Sequence, residues 1–513
     1  TRTNASFSGA MRISDNTRLK LGTDTGLGTA TLNVASGSGV FVYTTNPITT
    51  ALSIAGQGWQ EGAGRLGALR LGGGASWAGT VALTADADVG VYSSNDAASI
   101  TGVISGAATS RLWKTWNGTL ILSGLNTYAG GTGIAQGVLA VSSVANAGAA
   151  SALGASSADA ANLLFNGGTL RYTGSTAATS NRGFSIAAGG SATIDLPSGG
   201  LTLTGGTSAT TGSLIKSSSG TLGLGGTSLF TGSTTVSAGD LEILSGGNLG
   251  GGAYSGAISL GNGSTLRYKA GGTQSFSGAI SGTGGNVLID GNTSIVTLSG
   301  SNTYTGRTDI NAGLLRITGG TSQTTAINIL SGSTLEFDTG STSWTGGGTD
   351  SNLTGTQRAF WTGGSGVTWT GGGTIIKKGS ATLGISTDDA DTWALAAGSK
   401  IDVQEGRLYF GWGVNDTATN NKVDVNVAAG TTFDLWDLPQ YRIRNLTGSG
   451  TVTGASYTNA TLPTLVVGES DATSTFSGTV TSLVGAITKV GAGTFTLDGA
   501  VNHGFSRSLS INA

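Results

Sequence analysis

The segment Gly118 to Val141, GTLILSGLNTYAGGTGIAQGVLAV, is written again, imperfectly, at Gly220 to Ile243 (GTLGLGGTSLFTGSTTVSAGDLEI) and at Ser294 to Ile317 (SIVTLSGSNTYTGRTDINAGLLRI). Apolar, glycine and hydroxyl positions keep their order. A unit of this size cannot bury an apolar face alone, so a chain that repeats it folds by stacking one copy on the next. Weaker copies run from Ala381 to Phe410, around an acidic insertion, and from Gly493 to Ala513.

Two shorter phrases interleave with the first. LLFNGGTLRYTG at Leu163 to Gly174 returns at Ile258 to Gly272 and Ile327 to Gly340, and SFSGAMRI at Ser6 to Ile13 returns at Ser275 to Gly282 and Thr475 to Thr481. Each is a period-2 apolar alternation broken by Gly-Gly, Asn-Gly or Ser-Gly, which is strand and turn chemistry. Ser142 to Ala161 is rich in alanine, yet it holds Gly148 and Gly154 and lacks apolar residues at helical spacing. It reads as a loop with at most one helical turn. Short strands strung without helices predict an all-β parallel β-helix, a β-solenoid rod with little or no α-helix. One continuous solenoid is expected over 1–513: N-terminal rungs at 1–110, regular repeats at 111–340, an aromatic-rich irregular region at 341–420, and C-terminal rungs at 421–513.

Composition closes off the alternatives. Glycine is abundant, with 92 residues, but only 4 prolines and no every-third-residue period exclude collagen. A hydrophobic content of 37% with a net charge of −2 excludes a disordered chain. The balance of 25 basic against 27 acidic residues leaves no basic stripe, so nucleic acid is not an expected partner. There are no cysteines, so stability must come from repetition rather than disulfides. No apolar run reaches the roughly 18 residues of a membrane-spanning helix. The chain opens TRTNASFSG, without Met or a signal-like apolar stretch, as expected of a processed or excised segment.

The phrases Leu-Ser-Gly, Asn-Thr-Tyr-x-Gly and x-x-Gly-x-Leu in Gly118 to Val141 and Ser294 to Ile317 resemble the autotransporter-associated β-strand repeats of bacterial surface proteins. NRGF (Asn181 to Phe184), NLTGSGTVTG after Val425, and KVGAGTFTLDG up to Gly499 extend the likeness over most of the chain. The resemblance implies a right-handed parallel β-helix, secreted to the bacterial cell surface and used for adhesion, coating or display. No C-terminal barrel pattern or sorting tail is seen, which leaves the anchoring route open.

Candidate chemistry is sparse. The single histidine, His503, lies in the shortened last copy, so triad catalysis has almost nothing to draw on, and no catalytic residue or enzyme activity is expected. The carboxylate pairs Asp86 with Asp88 and Asp434 with Asp437 have the composition of a glycosidase site, but also that of polar turns. Asp388, Asp389 and Asp391 crowd oxygen donors that suit a structural Ca2+ or, equally, a polar turn; no other cofactor is expected. Trp344, Trp361, Trp369, Tyr409 and Trp412 are candidates for stacking on surface glycans, or else fill the coil where it widens. The arginines of TLRY and NRGF, Arg171, Arg267 and Arg182, are expected to lay their stems on the sheet with the charge outward. The chain itself is a further candidate partner, in a head-to-tail or a lateral homopolymer. Strands near Phe7, Met11 and Ile13 are placed to continue a rung ending at Leu509 and Ile511, head to tail.

Overall fold

The computed structural model describes residues 7–22, 27–318, 326–340, 357–361, 368–386, 392–410, 422–435, 440–454, 462–498 and 508–512. The chain forms two compact units, Thr1–Gly251 and Gly252–Ala513. Both are all-β, with 2% of residues helical and the parallel strands making about 19 solenoid turns in all.

Period-2 alternation sets each rung. In the first unit Thr119–Leu122 pairs in parallel with Val138–Val141, which pairs with Thr169–Tyr172, which pairs with Ser191–Asp195. The register puts Leu120, Leu139, Leu170 and Ile194 in one inward column, and all four are fully buried. In the second unit Leu335, Ile375, Ile401, Val425 and Leu446 form the equivalent column. Each such side chain contributes about 1.5–3 kcal/mol by leaving water. The alternate residues face out, where charges pair between neighbouring rungs, as Arg171 with Asp195 at 2.6 Å.

The corner motif Asn-Thr-Tyr is structural. Asn126 accepts the Ile104 N–H at 2.8 Å and donates to the Ala152 carbonyl, while Asn302 accepts the Ile280 N–H at 3.0 Å and donates to the Gly300 carbonyl. Tyr128 and Tyr304 point inward and share hydrogen bonds of 2.7 and 2.8 Å with Thr132 and Thr308. The serine-glycine before this corner is a close approach. A Cβ at Gly124 would stand 2.6 Å from the Gly102 carbonyl oxygen, and one at Gly102 closer still to that of Gly79. Glycine is required there by space, without a left-handed backbone.

A second device closes the next corner. Lys114 and Lys216 are fully buried, Lys377 is 1% exposed and Lys489 is buried. Each stands six residues before the apolar residue of a repeat: Leu120, Leu222, Leu383 and Phe495. The Lys114 ammonium donates to the carbonyls of Thr115 (2.8 Å), Trp116 (2.5 Å) and, one rung on, Gln136 (3.1 Å). Lys216 repeats this with Ser217, Ser218 and Ala238, and Lys377 with Lys378, Gly379 and Glu405. Two residues past each lysine, Trp116, Ser218, Gly379 and Gly491 adopt φ of 64°, 62°, 79° and 72°. That left-handed step turns the carbonyls inward onto the ammonium. Burial pushes Lys114 down to about 7 and Lys216 and Lys377 down to about 8. The carbonyl acceptors offset part of the desolvation, since a bond to a charged donor stabilises by about 1.5–3 kcal/mol. From sequence alone a lysine reads as solvent-facing; here it staples one rung to the next.

The alanine-rich stretch before residue 162 contains one 3-10 turn, Ala160–Asn162, capped by Asp159. Arg182 departs from the outward expectation. Only 3% exposed, its guanidinium reaches inward to Ser156 Oγ (2.7 Å) and to the carbonyls of Gly154 (2.8 Å) and Ala145 (3.1 Å), tying that loop to the coil. The loop offers a cluster of turned-in carbonyls, and only a multidentate buried donor satisfies them all.

Candidate functional site

The most elaborated surface lies on the first unit. The parallel strands Arg18–Leu21, Gly39–Val42 and Leu69–Leu71 align Lys20 with Phe41 and Phe41 with Arg70, so one large outward side chain is presented per rung. Between the second and third of these strands the chain leaves the coil as a small hairpin, Gln60–Glu61 paired antiparallel with Gly64–Arg65. Gly58, at φ 88°, packs directly on the Gly67 carbonyl, where no side chain would fit, and this pinches the hairpin base.

Charge and aromatic contacts hold the hairpin down. Glu61 accepts from Arg18 at 2.6 Å and from Arg70 at 3.0 Å. Arg18 lies over the Trp59 ring at 4.6 Å, and Arg70 over Phe41 at 4.2 Å and Tyr92 at 5.3 Å. From the far side, Trp116 Nε1 donates to the Arg65 carbonyl at 2.9 Å and its ring tilts against Tyr92, centroids 5.1 Å apart. Lys20 Nζ stands 4.4 Å from the Tyr43 ring. A shallow crease, open to solvent, runs between Arg18, Phe41, Trp59, Glu61, Leu66 and Arg70. Tyr43 is 49% and Tyr92 42% exposed. Arg18 and Arg70 thus converge on Glu61, while Lys20 lies against Tyr43 and Arg65 donates to the Gly58 carbonyl, beside flat aromatic surface. Such a face suits a ligand with both apolar and anionic character.

Sequence reading missed this site because its signal is one residue per rung. Arg18 and Glu61 are 43 positions apart and meet only when the turns stack. The aromatics that sequence did single out divide differently. Trp369 belongs to Thr368–Gly371, in register with the buried Ile327, and is itself fully buried, because alternation places it on the inner face. Tyr409 is 2% exposed, its ring lying over Gly384, which pairs with it. Neither offers a ring to a sugar. Trp361 ends the strand Gln357–Trp361, but its side chain lies outside the described residues, as do Trp344 and Trp412.

Of the acidic candidates, Asp86, Asp88 and Asp434 fall among the described residues. Asp434 is fully buried and ion-paired with Arg407, while Asp437 falls outside the described residues. Asp86 accepts the Arg111 N–H at 2.8 Å, a turn-holding role; burial, and then the Asp86 charge, push Asp88 up to about 6. Asp388, Asp389, Asp391 and His503 lie outside the described residues. Of the assembly candidates, Ile13 is buried against its own coil, Phe7 and Met11 are half-buried, and Ile511 is 74% exposed on the strand Ser508–Asn512; the Leu509 side chain lies outside the described residues. Arg171 and Arg267 sit as expected, half-exposed and paired with Asp195 and Asp290. Among the described residues no helix is long and apolar enough to cross a membrane.

A coil of parallel rungs, closed at recurrent corners by buried Asn, Gly and Lys, defines the class: a β-solenoid repeat protein. The passenger-associated-transport-repeat family model matches residues 114–141, 214–243, 292–317 and 487–513, and three of these segments contain a buried lysine, Lys114, Lys216 or Lys489. Among curated proteins the chain is similar to the Adhesin BmaC autotransporter of Brucella suis biovar 1 (strain 1330), 37% identical over 237 residues, which is 39% of this chain and 7% of the relative. The chain thus carries repeats of the autotransporter passenger type. It spans a small fraction, about 7%, of the length of the curated relative it matches. No solved structure matches it.

Proposed function

We propose that this chain is a non-enzymatic adhesive segment, carried to the bacterial cell surface, which contacts its target through the face between Arg18 and Trp116. The observation that carries the reading is the pair of half-exposed tyrosines, Tyr43 and Tyr92, set among cations on stacked parallel rungs. Exposed aromatics held by a rigid scaffold provide contact area at little entropic cost. The repeat type and the likeness to an adhesin support the surface role. Beads coated with the whole chain are expected to adhere to glycan-bearing host cells, and a Tyr43→Ala/Tyr92→Ala variant with an unchanged β circular dichroism spectrum is expected to lose most of that adhesion. Full adhesion by the variant overturns the assignment of the face. Trp361→Ala/Trp412→Ala in the same assay tests the second aromatic region.

Copies of the chain joining by strand addition are a second reading. It is favoured by Ile511, three-quarters exposed on a strand that pairs with Ala486–Val490, an edge where any continuation of the coil would also add. Electron microscopy at high concentration is expected to show strings; isolated particles alone count against it.

A further inference from the structure

The adhesive face has a repeat of its own. Val42, Leu71 and Val91 are in register on successive rungs, by way of the pairs Val42 with Leu71 and Leu71 with Val91. The residues that follow them are Tyr43, Gly72 and Tyr92, and on the rung before them Leu21, paired with Val42, is followed by Gly22. The column therefore alternates glycine, tyrosine, glycine, tyrosine. At about 4.8 Å per rung, like positions recur at about 10 Å. Each tyrosine has a cation at hand, Lys20 at 4.4 Å from the Tyr43 ring and Arg70 at 5.3 Å from the Tyr92 ring. The Tyr43 ring lies back over Gly22, on the rung before it, with Lys20 and Phe41 beside it, and Gly72, in register on the rung that follows, brings no side chain; the Tyr92 ring stays exposed between Arg70 and Trp116.

We infer that this column binds an extended acidic polysaccharide running along the stacking direction, built of disaccharide units with one uronate in each. The inference rests on the adhesive reading of the same face. A pyranose has an apolar C–H face that stacks on an aromatic ring, and an extended chain advances by two sugars over about the separation of Tyr43 and Tyr92. One aromatic and one cation per two rungs therefore match one stacking sugar and one carboxylate per disaccharide. The intervening Gly72 leaves room for the alternate sugar to approach the backbone. A neutral polymer would leave Lys20 without a carboxylate and the charge of Arg18 and Arg70, which share the one Glu61, only half compensated, and a compact branched glycan would engage one tyrosine but not both.

The test uses the whole chain and hyaluronan oligosaccharides, titrated by calorimetry beside the same oligosaccharides with their carboxylates reduced to alcohols. The acidic form is expected to bind, more weakly as salt is raised. The reduced form is expected to bind about tenfold or more weakly, as are Tyr92→Ala and Lys20→Gln with the acidic form; losing both tyrosines should abolish binding. Equal binding of acidic and reduced forms overturns the uronate assignment and leaves the adhesive face standing. Failure of the acidic form to bind, while bead adhesion still depends on Tyr43 and Tyr92, overturns the ligand class alone. Binding and adhesion that both survive the double tyrosine variant overturn the inference and the reading beneath it.

Discussion

Residues 214–243 and 292–317 carry the same repeat and turn the same corner by different means. In the first, Ser213–Ser217 stops at a left-handed turn through Ser218 and resumes as Thr221–Leu224, with the Lys216 ammonium gathering the carbonyls inside. In the second the inward place is taken by Ile289, the corner is one residue longer, and a single strand, Asn286–Leu298, runs through it with register shifts on either side of Asp290. Ser294 Oγ bonds the Ala270 carbonyl, and Gly291 packs where a Cβ would collide with that hydroxyl. The pair shows that the rung is what the repeat preserves. A sharp corner turns carbonyls inward and needs a buried cation to receive them; a bulged one spreads the bend and needs none.

Substituting the inward residue gives the largest expected difference. Lys216→Met keeps the length of the side chain and removes the donor, leaving the Ser217, Ser218 and Ala238 carbonyls buried without it, a local loss of about 3 kcal/mol. Ile289→Met changes shape alone and should lose less than about 1.5 kcal/mol. Repeat arrays open locally, so the measurement is amide exchange by mass spectrometry: about a hundredfold faster exchange over Thr221–Leu224 and Asp240–Ile243 in the lysine variant, with much less change at the corresponding rungs of the other. Equal effects would sink the staple.

The glycine corner should behave alike in both settings. Gly102→Ala and Gly278→Ala each drive a methyl group into the carbonyl of the glycine one rung below, Gly79 and Gly256, and each should lose about 1–3 kcal/mol in urea unfolding. A loss confined to one of them would mean that the columns are not equivalent. A smaller and again equal effect, about 1 kcal/mol, is expected for Tyr128→Phe and Tyr304→Phe, which remove the hydroxyl bonded to Thr132 or Thr308. The copy that carries Phe230 in that place, fully buried, already does without it.

These contrasts separate what alternation makes legible from what it hides. Leu120, Leu139 and Leu170 could be placed inside from sequence because period 2 leaves one face for apolar residues. Asn126 and Tyr128 were legible as a motif, although its chemistry appears only with Ile104 and Thr132 beside it. Arg182 was misread, and Lys114 went unnoticed, by the same logic that served the leucines: a cation in an alternating strand is assigned to water, yet inward carbonyls make a solvent of their own. Trp369 was left open between display and filling the coil, and the register places it in the core. The Arg18 to Trp116 face left no local trace, since every contact in it joins different turns or an excursion between them.

Acid should distinguish the two corners by the smallest effect, acting from outside. Opposite the Lys216 ammonium, Asp195 receives Ser218 Oγ at 2.5 Å, Ser217 Oγ at 3.1 Å and Arg171 Nε at 2.6 Å. Burial raises its pKa, but the Ser218 and Arg171 bonds, the Arg171 charge and the Ser217 bond outweigh that and hold it below the ordinary value of 3.8. A carboxylate with a folded pKa below its unfolded one binds fewer protons in the folded state. Its contribution is therefore complete above about pH 4 and is lost as pH falls through the lowered folded value. Between pH 4 and 2 the amides around Ser217 and Thr221 should lose protection, after correction for intrinsic exchange, beyond any loss at Ser294 and Leu298, and Asp195→Asn should remove that difference. If the pH-dependent loss survives in Asp195→Asn, the outer carboxylate is not what holds the left-handed turn, and the inner lysine holds it alone.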